Sequence, residues 1–383
     1  MSNPAFNLIG LTQLRNDSRF VGIDGSGMAV AVIDTGLDGT HSLLNSNYVA
    51  GRDFVYGDND PEDIDGHGTH VAGTVGAADP RYGVAPDVKL IGLKVFGNNG
   101  GGARSTDIQA ALQWVIDNKE LYNIVAVNMS LAAGFYTSVS EAAGDIIIDE
   151  VRRLEELGVV VVSATGNSFK NNEYQNMAAP AIFSTLAVGA VWQDGINRNI
   201  RWGSGGIDYT TGADRVTSFS QRLDAPNKIF APGAMITSTV PGNRLDAMGG
   251  TSMASPVVAG AVALMQEAAM QFGGRFLTSS EVVQIMRSTA DIIFDGDDED
   301  DNVENTSTNY PRLNIYNAVQ EVQRLFQDIA PNGDPNGTIQ GAYIGPILDG
   351  TTTINSILGS IGIDGGSVQV GDKDVDIIRF EMR

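Results

Sequence analysis

Four short stretches of this chain set a reactive or hydrogen-bonding side chain among glycines and other small residues, where a substrate can approach the backbone closely. Val32-Ile33-Asp34-Thr35-Gly36 is an apolar run that ends on a carboxylate. Such a group can accept a hydrogen bond from an imidazole and hold its tautomer and orientation. Taken singly, an acid at the end of a strand is more often a helix cap or a turn residue. Asp65-Gly66-His67-Gly68-Thr69-His70-Val71-Ala72-Gly73 places His67 between glycines at the opening of a small-residue helix. The positive end of the helix dipole there favours the neutral imidazole, the form that acts as a base. Two histidines three apart also admit a zinc reading, which the lack of any cysteine and of a Glu between them disfavours. His41, the remaining histidine, reads as a structural side chain near Asp38.

Gly249-Gly250-Thr251-Ser252-Met253-Ala254-Ser255-Pro256 puts Ser252 at a tight entry into a helix predicted over Met253 to Phe272. Pro256 is expected in its first turn, where a missing N–H does little harm. Ser252 reads either as an N-cap or as a nucleophile whose own backbone N–H points toward a developing oxyanion. Thr165-Gly166-Asn167-Ser168 follows another apolar run, and Asn167 is either a turn residue or a neutral amide donor.

The elements that must hold these groups follow from hydrophobic patterning. Met28 to Ile33, Val88 to Phe96, Ile124 to Met129, Val159 to Ala164 and Leu186 to Val191 are continuous apolar runs, as strands covered on both faces require. Ser138 with Glu141 reads as a capping box opening a helix toward Leu157, which Gly158 stops. Thr278 with Glu281 opens another helix, and the last predicted one is Leu313–Phe326. This alternation predicts an α/β fold, a mostly parallel sheet with helices on both faces. In such sheets, sites form outside the carboxyl ends of strands, where Asp34 and Asn167 fall. Residues 1–326 read as one domain, 327–337 as a linker rich in Pro, Gly and Asn, and 338–383 as a short β-rich segment.

Composition removes several classes of function. With 46 acidic against 24 basic residues and a formal charge of -22, no nucleic-acid partner is expected. The absence of cysteine excludes disulfides and thiol chemistry. No apolar run approaches the roughly 18 residues that cross a bilayer, so no membrane partner is expected. Met1 to Gly10 lacks the pattern of a signal peptide, so any export signal or propeptide is expected outside this sequence.

In the order Asp, His, Ser, the blocks Val32–Gly36, His67–Gly73 and Gly250–Pro256, together with Ala164-Thr165-Gly166-Asn167, resemble the subtilase family. The resemblance spans roughly Leu8 to Phe326 and implies a subtilisin-like serine endopeptidase, monomeric and secreted, acting on protein or peptide substrates. A cytoplasmic maturation enzyme is the alternative location and role. An idle adhesion or scaffold module would be expected to lack one of the three catalytic groups. By the resemblance Ser252 is the nucleophile, His67 its base and Asp34 the residue that orients the base, while Asn167 and the Ser252 N–H hold the oxyanion. The segment Asn128–Gly134, with Ser130, Leu131, Ala132 and Ala133, is implied to bind the residue before the cut. Gly100, Gly101 and Gly102 form the facing edge, so that the substrate lies extended between them. An apolar residue before the cut is expected, because Ser130–Ala133 and Met177–Pro180 carry no charge. Ala132 and Ala133 replace the paired glycines usual in relatives. Arg104 stands where an aromatic is common and is expected to favour an acid further upstream.

Calcium is the implied cofactor. Asp58, Asp60, Asp63 and Asp65 crowd one loop beside His67, and alternate carboxylates suit its oxygen-only shell. Asp295 to Asp301 is a second acidic run, while Asp79–Gly83 is shorter than the strong calcium-binding loop of relatives. Asp194–Arg215 reads as a surface insertion without an assigned role. Asp374 to Phe380 resembles the start of a bacterial pre-peptidase C-terminal-like β-sandwich, of which residues 338–383 would be only a part.

Overall fold

A computed structural model describes residues 3–98, 101–171, 176–296 and 301–327. The proposed linker after residue 327, the β-rich segment 338–383 and Gly100 lie outside the described residues. Residues up to Val322 form one compact unit; of the second, which begins at Gln323, only the end of a helix is described.

The framework is a nine-stranded sheet of β1 (Ala29–Asp34), β2 (Tyr48–Asp53), β3 (Lys89–Lys94), β4 (Ile124–Met129), β5 (Val160–Ala164), β6 (Leu186–Val191), β7 (Lys228–Pro232), β8 (Asp291–Asp295) and β9 (Thr308–Arg312). Their spatial order is β8-β9-β7-β6-β5-β4-β1-β3-β2, parallel throughout except that β8 runs antiparallel to β9 at one edge. The five predicted strands are present, with ends shifted by a residue or two. Two short helices, α1 (Pro4–Leu8) and α2 (Leu11–Asn16), precede the sheet. The larger helices are α3 (His67–Gly76), α4 (Ser105–Tyr122), α5 (Ile148–Glu156), α6 (Thr251–Gly273), α7 (Ser279–Ser288) and α8 (Ile315–Gln327).

Burial on both faces explains why β1 is apolar at every position before Asp34. On one face Ala29, Ala31 and Ile33 pack with Val127, Met129 and Val161 beneath Leu112 and Val115 of α4 and Val151 and Leu154 of α5. The other face carries α6, which packs along β1, β4, β5, β6 and β7, with α3 beside it. Each fully buried side chain of this size contributes about 1.5–3 kcal/mol. By length and composition α6 could cross a bilayer, which corrects the expectation that no segment could. However, 89% of its most apolar stretch is buried in the protein, so its apolar character belongs to the core.

Two local expectations also need correction. Ser138 and Glu141 do not open a helix: the Glu141 carboxylate accepts from the Thr137 N–H and hydroxyl, and helix α5 starts only at Ile148. Gly158, at φ 77°, does end that helix region. Thr278 and Glu281 form the reciprocal capping box as expected. Pro256 lies at the sixth position of α6, not in its first turn. It withholds an N–H from the carbonyl of Ser252, four residues back.

Two features outside the framework matter below. Arg15 of α2 reaches the turn after α3, donating from Nη1 to Pro80 O (2.6 Å) and from Nη2 to Gly83 O (2.7 Å) and Val84 O (3.1 Å). Within Asp194–Arg215, Ile200–Arg201 and Ile207–Asp208 form a two-stranded antiparallel pair that carries Trp202 between its strands.

Candidate active site

Strands β1, β4 and β5 are neighbours and parallel, so their carboxyl ends emerge side by side. Asp34 is the last residue of β1, Ser130 follows β4 and Asn167 lies three residues beyond β5. His67 and Ser252 begin the two helices, α3 and α6, that share one face of the sheet. The topology therefore gathers all five sequence-predicted groups at one edge.

Asp34 is buried, and its Oδ1 accepts from both the His67 Nδ1–H (2.7 Å) and the Thr35 N–H (2.7 Å). The Oδ2 atom is buried without a partner. Close approach requires Gly68, where a Cβ would overlap Gly36 O and lie 3.1 Å from Asp34 Cβ. The His67 ring keeps 29% of its side-chain surface exposed. Burial disfavours its charge, but the charge and hydrogen bond of Asp34, aided by Asp65 and Asp63, outweigh burial and raise its pKa to about 9. The expectation that the helix terminus keeps this ring neutral is thus overturned, because a carboxylate in contact exceeds a partial dipole charge. His70 is different in kind. Fully buried, it donates from Nε2 to Ile236 O (2.9 Å), and burial lowers its pKa to about 4. His41 is also buried, contacting Arg244 O and the Leu43 N–H. The histidines thus face separate partners, and the zinc reading loses its basis.

Ser252 is the second residue of α6, with Gly250 at the N-cap position, so the capping alternative is excluded. Its Oγ donates to the carbonyl of Ser130 (3.1 Å) and makes no hydrogen bond to His67 in this resting arrangement. The Ser130 hydroxyl returns the contact by donating to Ser252 O (2.7 Å), the carbonyl that Pro256 leaves without a helical donor. Behind it, Asn128 Nδ2 donates to Ser130 Oγ (2.9 Å) and Ser255 Oγ donates to Asn128 Oδ1 (2.6 Å). Asn167 is held through its oxygen, which accepts from Thr251 N (2.8 Å) and Thr251 Oγ1 (2.9 Å), leaving Nδ2 free to donate. Gly250 has no side chain, and the point where its Cβ would sit is 3.1 Å from Asn167 Nδ2 and 3.6 Å from Ser252 N. The missing methyl leaves an opening between two donors, the arrangement that stabilises a developing oxyanion.

A cleft of about 490 Å³ beside His67 is lined by Asp65, Phe96, Gly101, Gly102 and Ser130, among others. The predicted wall and its partner come together, with Ala133–Tyr136 pairing antiparallel with Met177–Ala179. Leu131 is half-buried, while Ala132 and Ala133 are exposed. Arg104 is not a free cation: it forks onto Asp107, with contacts of 2.7 and 3.0 Å. That pairing weighs against the expected attraction for an acid upstream.

The acidic loop is held by its own hydrogen bonds. Asp63 is buried and already accepts from Thr35 Oγ1, Asp65 N, Gly66 N, Thr69 N and Thr69 Oγ1, which saturates both of its oxygens. Asp58 and Asp65 accept from Asp60 N and His67 N respectively, and all but Asp63 are solvent-exposed. No group of three or more acidic or histidine side chains arranged for a metal occurs among the described residues. Asp63 is a brace for the turn into α3. In the second acidic run, Asp295 pairs with buried Arg222 (2.6 Å), and residues 297–300 lie outside the described set. Sequence reasoning missed the interlocked pair Ser130–Ser252, although Pro256 was a visible sign that one α6 carbonyl needed another donor.

Residues 25–318 match the subtilase family. A thermophilic serine proteinase of Bacillus sp. (strain AK1) is 35% identical over 299 residues, covering 77% of this chain and 62% of that protein. Subtilisin BL of Lederbergia lenta is 37% identical over 250 residues, covering 64% of this chain and 78% of that one. Among solved structures, a cold adapted subtilisin-like serine proteinase superposes with a TM-score of 0.53 at 29% identity, over 70% of this chain and 84% of that one.

Proposed function

The chain belongs to the subtilase family, and from that premise we propose that it is a serine endopeptidase working through Ser252, His67 and Asp34. The observation that carries this reading is the Asp34–His67 contact of 2.7 Å beside an opening flanked by Asn167 Nδ2 and the Ser252 N–H. In the reaction, Ser252 Oγ leaves the Ser130 carbonyl and attacks the scissile carbonyl carbon as His67 Nε2 takes its proton. The new oxyanion is held by the Asn167 amide and the Ser252 N–H. Collapse expels the amine, which receives the proton from His67, and leaves an acyl-enzyme. Water, deprotonated by the same ring, then releases the acid and restores Ser252.

We further infer that protein or peptide substrates bind extended between Gly101–Gly102 and the segment from Ser130. An apolar residue precedes the cut, because neither Leu131–Ala133 nor Met177–Pro180 offers a charge. The family resemblance favours action outside the cell. A fluorophosphonate probe tests the nucleophile: it should label Ser252 and no other serine, and Ser252→Ala should abolish labelling and peptide hydrolysis. Labelling elsewhere, or hydrolysis retained in that variant, overturns the assignment.

A further inference from the structure

The segment Asp194–Arg215 has no role in the reading above, yet one of its side chains reaches the nucleophile loop. Trp202 is half-buried, and a Cβ built on Gly249 would overlap its six-membered ring, lying 2.7 Å from Cη2. Gly249 is three residues before Ser252. Its φ is not in the left-handed region, so the ring is what requires a glycine there.

The ring is firmly seated. Its Nε1–H donates to Asp208 Oδ2 (2.6 Å), which also accepts from Trp192 Nε1 (3.0 Å), while Asp208 Oδ1 accepts from Ser218 N (2.9 Å). Trp202 meets Phe219 edge to face at 4.7 Å between centroids and lies 5.7 Å from the Trp192 ring. Phe219 connects the stack to the other side of the opening, since its carbonyl accepts from Phe169 N, two residues beyond Asn167. The neighbouring Gln221 N–H donates to Gly166 O, immediately before Asn167. One aromatic side chain is therefore packed against the loop that carries the Ser252 N–H and, through Phe219, against the loop that carries the Asn167 amide.

We propose that Trp202 is a positioning residue that sets the spacing of the two oxyanion donors. It acts through Gly249 and Phe219. The inference rests on the serine-endopeptidase reading, because it assigns a purpose to those two donors. Donors aimed at a developing charge tolerate little displacement, and a misplacement near 1 Å costs on the order of 100-fold.

The test follows kcat, KM and the affinity of a peptide boronic acid, which forms a tetrahedral adduct with the nucleophile, alongside the melting temperature. Trp202→Ala should lower kcat by roughly 10- to 100-fold with KM within about twofold. Boronate affinity should fall by the same factor as kcat/KM, a match that general loosening of the fold does not produce. Trp202→Phe, which keeps the edge contact, should stay within a few-fold of wild type. Gly249→Ala should be impaired because its methyl meets the ring, and the smaller ring of Trp202→Phe should relieve that defect in the double variant. This second comparison decides the matter if Trp202→Ala does not fold. Wild-type kcat in folded Trp202→Ala, a loss confined to KM, or a Gly249→Ala defect indifferent to the ring overturns the proposal. If Ser252 in the wild-type protein does not react with fluorophosphonate, the endopeptidase reading itself falls. If it reacts and the variants behave as wild type, only the role of Trp202 falls.

Discussion

Replacing Asp34 by Asn should move a titration as well as slow a reaction. With its pKa raised to about 9, the His67 ring of the free protein is only about 1% neutral at pH 7, so kcat/KM should climb steeply through neutrality and level off in alkali. Asp34 supplies the leading contributions that raise this value, and Asp65 and Asp63 add less. Without the Asp34 charge, burial prevails, and the limb should fall to 6.5 or below. The plateau should also drop by about 10^4-fold, since Asn does not fix the productive tautomer. The same interaction carries a stability. Folding favours the charged ring, so this contribution is complete below pH 6.5 and is lost as pH rises through about 9. The interval corresponds to about 3 kcal/mol at 1.36 kcal/mol per pH unit, and partial exposure of the ring reduces the expectation to about 2 kcal/mol. Lys228, lowered to about 7 by burial, and Glu267, raised to about 7 by burial, titrate in both proteins and cancel in the difference. Fluorophosphonate labelling rates and urea unfolding, each followed across pH for wild type and Asp34→Asn, measure the two effects. A wild-type limb at or below 6.5, or one unmoved in the variant, would refute the reasoning.

Other expectations concern single contacts. Ser130→Ala removes the donor that Pro256 cannot replace, and should lower unfolding free energy by about 1–3 kcal/mol in urea titrations. A loss under about 0.5 kcal/mol would mean that Ser252 O finds water instead. Asn167→Ala should leave the fold intact and cost about 3 kcal/mol of transition-state stabilisation, read as kcat/KM. An unchanged turnover number would remove its amide from the site. In calcium-free buffer, Asp58→Asn and Asp60→Asn should leave the melting temperature unchanged, whereas Asp63→Asn should lower it by disrupting the turn into α3. Cleavage of a peptide library should be dominated by apolar residues before the cut, with no acidic preference upstream of it, because Asp107 neutralises Arg104. Enrichment of Lys or Arg before the cut would refute the wall assignment.

Legibility in the sequence followed burial. Strands β1, β4 and β6 are buried on both faces and are therefore apolar except at the site residues Asp34 and Asn128. Strand β2 lies at the edge with a mixed burial pattern, and β7 opens on a buried lysine, so neither shows that signature. The reactive groups were legible because glycines and strand ends mark them locally. Their supports were not, because those are contacts between distant segments. Asp63 looked like one carboxylate of an ion shell until Thr35 and Thr69 were seen to saturate it. Trp202 had no local sign of its reach to Gly249, since the 46 intervening residues must fold first. Glu141 matched a capping pattern, yet its carboxylate satisfied Thr137 in a turn instead, and spacing alone does not distinguish those outcomes.

The guanidinium of Arg15, with its grip on the carbonyls of Pro80, Gly83 and Val84, has a consequence for the media in which the turn after α3 keeps its shape. Carbonyl oxygens that converge on one point repel each other unless a positive charge sits among them. A dissolved ion in that position is held only by mass action and departs when its free concentration falls. A charge tethered through the backbone has no such equilibrium with the solution, because its local concentration is fixed by covalent connection. Sequestrants that strip free metal from a medium therefore leave this tethered charge in place. Burial lowers the Arg15 pKa only to about 10, so the tether stays charged through neutral and mildly alkaline conditions.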